Sequence, residues 1–207
     1  MYIVLEGVVG VGKSTQAKKL ADYLGAQYPE REIVLTREPW GTEIAEAIRT
    51  LVQATEFESE EMSPLTDIYL YASARAQLIE SLIKPALDRD AIVISDRSFC
   101  SSLAIQWVAQ WMWLEKVWNI NKEAIENTMP DMVLFFDLDV DTGLQRTFDA
   151  GWDKFERKKA KFSYKIYEWY QMLFEFEATK NLMHRVDASG TIDEVFERVK
   201  DLVVSHI

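Results

Sequence analysis

Gly7-Val8-Val9-Gly10-Val11-Gly12-Lys13-Ser14 satisfies G-x-x-x-x-G-K-[ST] at every position, with Thr15 next in the chain. Each fixed residue type answers a need of a bound polyphosphate. Glycines let successive backbone N–H groups turn toward phosphate oxygens, and a helix starting at the lysine adds its positive N-terminal end. Lys13 supplies charge for the β- and γ-phosphates, and Ser14 supplies a hydroxyl oxygen for Mg²⁺. The segment is a P-loop, the donor half of a phosphoryl-transfer site. Further cations follow other apolar runs: Arg37 in Thr36-Arg37-Glu38-Pro39, and Arg97 in Asp96-Arg97-Ser98. Ligand sites of open α/β sheets lie at such strand ends. Fixed cations there suit a transition state whose charge spreads over phosphoryl oxygens.

Bringing these residues around one ligand requires alternating strands and helices. Short apolar, β-branched runs over 2–6, 32–36, 91–95, 132–137 and 185–187 read as strands. Segments of helical period over 13–24, 43–53, 65–88, 102–117, 140–149, 158–178 and 192–204 read as helices. The alternation predicts an α/β fold with a five-stranded parallel sheet covered by helices on both faces, as one domain over 1–207. Acidic 56–61 reads as a surface loop. Segment 151–165 holds Lys154, Arg157, Lys158, Lys159, Lys161 and Lys165 against Asp153 and Glu156, so it is locally +4. Trp107, Trp111, Leu114 and Trp118 form one helical stripe, read as core or subunit interface.

The chain of 207 residues carries 23 Lys and Arg against 34 Asp and Glu, a net charge of −11. That sign opposes the coating of nucleic acid or of an anionic membrane. One Cys excludes an intrachain disulfide framework, and with only two His it cannot build an all-Cys/His zinc site; a reducing cytoplasm fits best. MYIVLEG has no basic leader, and nowhere do 18 apolar residues run together, so neither a classical export signal nor a membrane span is expected. Cys100, His184 and His206 have no partner at catalytic spacing.

Beyond the P-loop, five segments occur in order: Thr36-Arg37-Glu38-Pro39-Trp40-Gly41-Thr42, then Tyr71-Ala72-Ser73-Ala74-Arg75-Ala76-Gln77, Asp96-Arg97-Ser98, Gln145-Arg146, and Asp187-Ala188-Ser189. Together the chain resembles the thymidylate kinase family of P-loop nucleoside monophosphate kinases, whose hallmarks are TREPGGT, an aromatic-x-x-x-Arg-Ala-Gln helix, DRY-x-x-S-x-x-AYQ and a late DAS. The resemblance implies transfer of a phosphoryl group from ATP to dTMP, with Mg²⁺, by a cytoplasmic homodimer. It implies that Arg37 and Arg97 grip the acceptor phosphate and the transferred group, and that Asp96 supports the metal through water beside Ser14. Gly7, Val8, Val9, Gly10, Val11, Gly12, Lys13, Ser14 and Thr15 would hold ATP, with Arg146 on the adenine. Glu38 and Arg49 would lie near the acceptor, Tyr71 would stack on its base, and Arg75, Ser101 and Gln106 would contact that base.

Several positions depart from the family pattern. Its acidic P-loop residue is Val9 here, its Tyr after Asp-Arg is Ser98, the GG of TREPGGT is Trp40-Gly41, and the Tyr of AYQ, which screens out ribose, is Ile105. The P-loop also lacks Arg or Lys between Gly7 and Gly12, which in this family goes with a catalytic cation supplied by a mobile lid. The family's lid falls over 150–160, where its Asp-Arg-Ile-Glu reads Asp153-Lys154-Phe155-Glu156; Arg157 is the nearest arginine, with Lys154 the other candidate. Two other readings stay open at this point. In a deoxynucleoside kinase Glu38 would deprotonate a sugar hydroxyl, and in a non-catalytic module the P-loop would only bind nucleotide.

Overall fold

The structure, a computed structural model, describes residues 1–54, 60, 62–110, 114–147 and 154–207, of which 107–110 and 154–160 are described by backbone alone. Five strands, β1 (Tyr2–Glu6), β2 (Ile33–Arg37), β3 (Ile92–Asp96), β4 (Met132–Asp137) and β5 (Met183–Asp187), form one sheet in the order β2-β3-β1-β4-β5. Every pairing is parallel. β1 is central because it is apolar on both faces: Tyr2, Ile3, Val4 and Leu5 are all buried, flanked by the equally buried β3 and most of β4. Its register pairs Leu5 with Asp96 on one side and Glu6 with Phe135 on the other, which brings three polar-bearing strand ends to one edge.

Helices α1 (Lys13–Gln27), α2 (Glu43–Val52), α3 (Pro64–Leu78), α4 (Lys84–Asp88), α5 (Phe99–Gln110), α6 (Leu114–Ile125), α7 (Val140–Gln145), α8 (Lys154–Leu173) and α9 (Ile192–Val204) complete the described fold. Local signals fix several starts. Ser63 caps α3 ahead of Pro64, and Thr191 and Glu194 form a reciprocal capping box on α9. The segment expected as one helix over 65–88 is continuous but passes through a π-helical turn at Ile79–Ile83. The expected helix 102–117 starts earlier, at Phe99, and a second helix, α6, follows it. The second helix was hidden because the apolar stripe runs across both. Trp118 packs against Phe99 and Phe176, so that end of the stripe is core, while the side chains of Trp107 and Trp111 lie outside the described residues. Among the described residues no helix is long and apolar enough to cross a membrane.

Candidate active site

The P-loop leaves β1 through Gly7, φ +142°, and enters α1 at Gly12, φ +95°. Between them Gly10, φ +81°, lies so close to α7 that a Cβ would fall 1.8 Å from the Gly143 carbonyl oxygen. Only glycine fits there. No side chain caps the start of α1, which leaves its first N–H groups for another acceptor. Lys13 folds back into the loop, donating to the carbonyls of Gly7 at 3.0 Å and Val8 at 2.8 Å. Burial, with the charge of Arg97 added, pushes its ammonium down to about 7. Ser14 donates to Asp96 Oδ2, while Asp96 Oδ1 is buried without a hydrogen-bond partner among the described residues. Two hard oxygen donors at the mouth of a phosphate cradle suit Mg²⁺.

Arg97 follows β3 in a left-handed conformation, φ +82°, which costs a non-glycine residue about 1–3 kcal/mol. Its Nη1 donates to Ser101 Oγ at 3.0 Å and lies 3.4 Å from the Gly7 carbonyl and 3.5 Å from the Tyr170 hydroxyl. Behind it sits Glu6, wholly buried, 4.0 Å from the same nitrogen. Glu6 accepts from the amides of Ser98 and Ser101, from both serine hydroxyls, and from Tyr170 at 2.7 Å. This network went unseen in the sequence, where its one signal is an acid ending an apolar strand.

Beside Arg97 opens a cavity of about 470 Å³, within the range of small-ligand sites. Arg37, Glu38, Trp40, Tyr71, Arg75, Arg97, Ser101, Ile105 and Gln106 line it, so the structure brings together nearly every acceptor residue expected from the sequence. Arg49 is set back from the lining, over the ring of Trp40. Arg75 is more committed than a base-reading residue need be. It pairs with Glu38 at 2.6 Å and donates to Asn121 of α6, Ser102 Oγ and the Ser98 carbonyl. Burial raises the Glu38 carboxyl and Arg75 opposes that rise. Gln106 donates to Asp67 at 3.0 Å and keeps its own buried Oε1 unpartnered among the described residues.

A second crevice, about 410 Å³, runs between the P-loop and α8 and is also lined by Arg97. Val9 and Ile105, two of the departures, face it together with Leu144, Phe162 and Ile166. A third space, about 400 Å³, lies on the far side of the loop and is lined by Gly10, Gly12, Thr15, Arg146 and Gly190. Lys154 and Arg157 lie on the first turns of α8, and their side chains fall outside the described residues, as do 150–153 entirely.

The family model described as thymidylate kinase matches residues 5–199. The chain belongs to the thymidylate kinase family. It is 40% identical over 200 residues to a thymidylate kinase of Finegoldia magna, covering 96% of this chain and 95% of that one. It is 38% identical to one of Exiguobacterium sibiricum, covering 98% and 93%. A crystal structure of thymidylate kinase from Ehrlichia chaffeensis superposes with a TM-score of 0.77 at 26% identity, over 99% of this chain and 98% of that one. The match in fold extends over nearly the whole length of both chains. The chain is thus an ATP-dependent phosphotransferase of this family.

Proposed function

We propose that this chain transfers the γ-phosphoryl group of ATP to the 5′-phosphate of dTMP, giving dTDP and ADP, with Mg²⁺ on the ATP phosphates. The observation that carries the reading is the position of Arg97: one guanidinium lines the acceptor cavity and also the crevice beside the P-loop, 3.4 Å from the Gly7 carbonyl. An acceptor phosphate reaching Arg97 from one side meets a donor phosphate held by the loop on the other.

A phosphate oxygen of dTMP attacks the γ-phosphorus in line, and the bond from that phosphorus to the bridging oxygen of ADP breaks. The nucleophile is already anionic, so no general base is required. Charge must instead be neutralised. Lys13 exchanges its two carbonyl contacts for phosphate oxygens, while Arg37 and Arg97 face the acceptor and the group in flight. Bound Mg²⁺ would be held by Ser14 and, through water, by Asp96; it supplies charge neutralisation on the phosphates. Tyr71, Arg75, Ser101 and Gln106 orient the base. Lys154 or Arg157 closes over the donor as the lid cation, and Arg146 borders the adenine. The thymidylate kinase relatives, rather than the carboxylate's own geometry, weigh against Glu38 as a base for a nucleoside hydroxyl: its Oε2 is held by Arg75 while its Oε1 has no partner among the described residues.

An inhibitor joining adenosine and thymidine through one polyphosphate chain tests whether the two sites meet at Arg97. Competition against both ATP and dTMP is expected; competition against ATP alone contradicts the reading.

A further inference from the structure

Arg37 is held more loosely than Arg75 and Arg97, the other cations that line the acceptor cavity. Its side chain is half exposed, and among the described residues it makes no side-chain hydrogen bond, its nearest anion being Asp96 Oδ2 at 3.8 Å from Nε. What does hold it is a ring. The guanidinium carbon of Arg37 lies 4.2 Å from the ring centroid of Trp40, and that of Arg49 lies 4.1 Å from the same centroid. One indole thus takes two cations, within reach of a strong cation–π contact for each. Three different places in the chain meet there: Arg37 ends β2, Trp40 lies in the loop after it, and Arg49 stands in the last turn of α2.

The loop itself is folded to make this contact. The Trp40 amide donates to the Arg37 carbonyl at 2.8 Å, so the ring is turned back over the side chain three residues earlier. Gly41, φ +97°, follows where a Cβ would stand 2.6 Å from Thr36 Oγ1, so the loop after the tryptophan is packed tightly on β2. Trp40 and Arg37 both line the acceptor cavity. Arg49 Nε is buried with no partner among the described residues, so the ring is this guanidinium's main support as well.

We propose that Trp40 is a positioning residue for acceptor-phosphate recognition: it holds the Arg37 guanidinium in place at the cavity, braced by Arg49 from α2. The proposal rests on the reading of this cavity as the dTMP site. Tryptophan supplies here what a glycine at the same position, as in the family pattern, has no side chain to supply. An arginine already immobilised loses less conformational freedom when it binds an anion. The gain therefore falls on ligands that carry a phosphate and bypasses those that do not.

The test compares dTMP with thymidine, which lacks the phosphate, as ligands of the wild type, Trp40→Leu and Trp40→Phe, by calorimetry. Trp40→Leu keeps an apolar side chain and removes the ring quadrupole. It is expected to weaken dTMP roughly tenfold while leaving thymidine within about twofold, and Trp40→Phe is expected to stay within about threefold of wild type for both. In an Arg37→Ala background Trp40→Leu is expected to add almost nothing. Trp40→Gly gives the same split should the leucine variant not fold. Equal weakening of dTMP and thymidine, a phenylalanine variant no better than leucine, or a full additional loss in the Arg37→Ala background overturns the proposal. If the wild type does not bind dTMP, it is the reading of the cavity that has failed, which is a separate result.

Discussion

The Tyr170 hydroxyl donates to Glu6 Oε2 at 2.7 Å across 164 residues of chain, tying α8 to the end of β1 directly behind Arg97. Burial first, and the charge of Glu6 second, push the tyrosine well above its ordinary range, so it stays a donor at any working pH. A wholly buried carboxylate with five donors is stable only while those donors remain.

Tyr170→Phe deletes one of them and adds nothing. An unfolding free energy lower by about 1–3 kcal/mol is expected, the cost of leaving a buried acceptor short of a partner. Urea denaturation of variant and wild type checks it. Equal midpoints and slopes would mean that the hydroxyl contributes nothing to the network.

Lys13→Ala is expected to lower kcat at least about a hundredfold, because a preorganised cation at the transferred phosphate typically supplies several kcal/mol. Stability should not fall with it, since the ammonium is buried at a cost in the free protein. A folded variant with near-normal turnover would remove Lys13 from the catalytic set.

Burial holds the Lys13 ammonium down in the free protein. At pH 8 most free enzyme holds the amine neutral, and the ATP phosphates favour its charged form, so binding should take up a proton. Affinity for ATP should then weaken as the pH rises above about 7. Calorimetry in buffers of different ionisation enthalpy measures the uptake. Proton release, or no uptake beyond that of the nucleotide alone, would contradict the shift.

Much of this was legible in the sequence, for identifiable reasons. The P-loop announces itself because its glycines are required by geometry: Gly10 has no room for a Cβ. The parallel sheet is legible because β1, β3 and β4 are apolar without interruption. Arg37, Tyr71, Arg75 and Gln106 were gathered from ordered motifs, and the fold brings them to one cavity. What stayed hidden is pairing over long separations. Nothing local to Glu6 points to Tyr170, and nothing near Arg75 reveals that Asn121 and Glu38 would occupy its donors. The second helix, α6, was masked because apolar residues keep helical spacing in the sequence from Trp107 through Trp118.

Within the lid proposed over 150–160, Arg157 is the arginine nearest the family's Asp-Arg-Ile-Glu position. Arg157→Ala is expected to reduce kcat much more than it raises KM for dTMP, because lid closure acts on the donor phosphates and leaves the base untouched. An unchanged kcat, or a loss carried wholly by Lys154→Ala, would reassign the lid cation.

The most direct measurement supplies γ-labelled ATP and Mg²⁺ to the wild-type protein with dTMP, with thymidine, or with buffer alone, and identifies the labelled product. Label recovered in dTDP, at a rate far above either other arm and abolished by excess EDTA, is the expected result. Label recovered in dTMP from thymidine, or only as free phosphate whichever acceptor is offered, would contradict it.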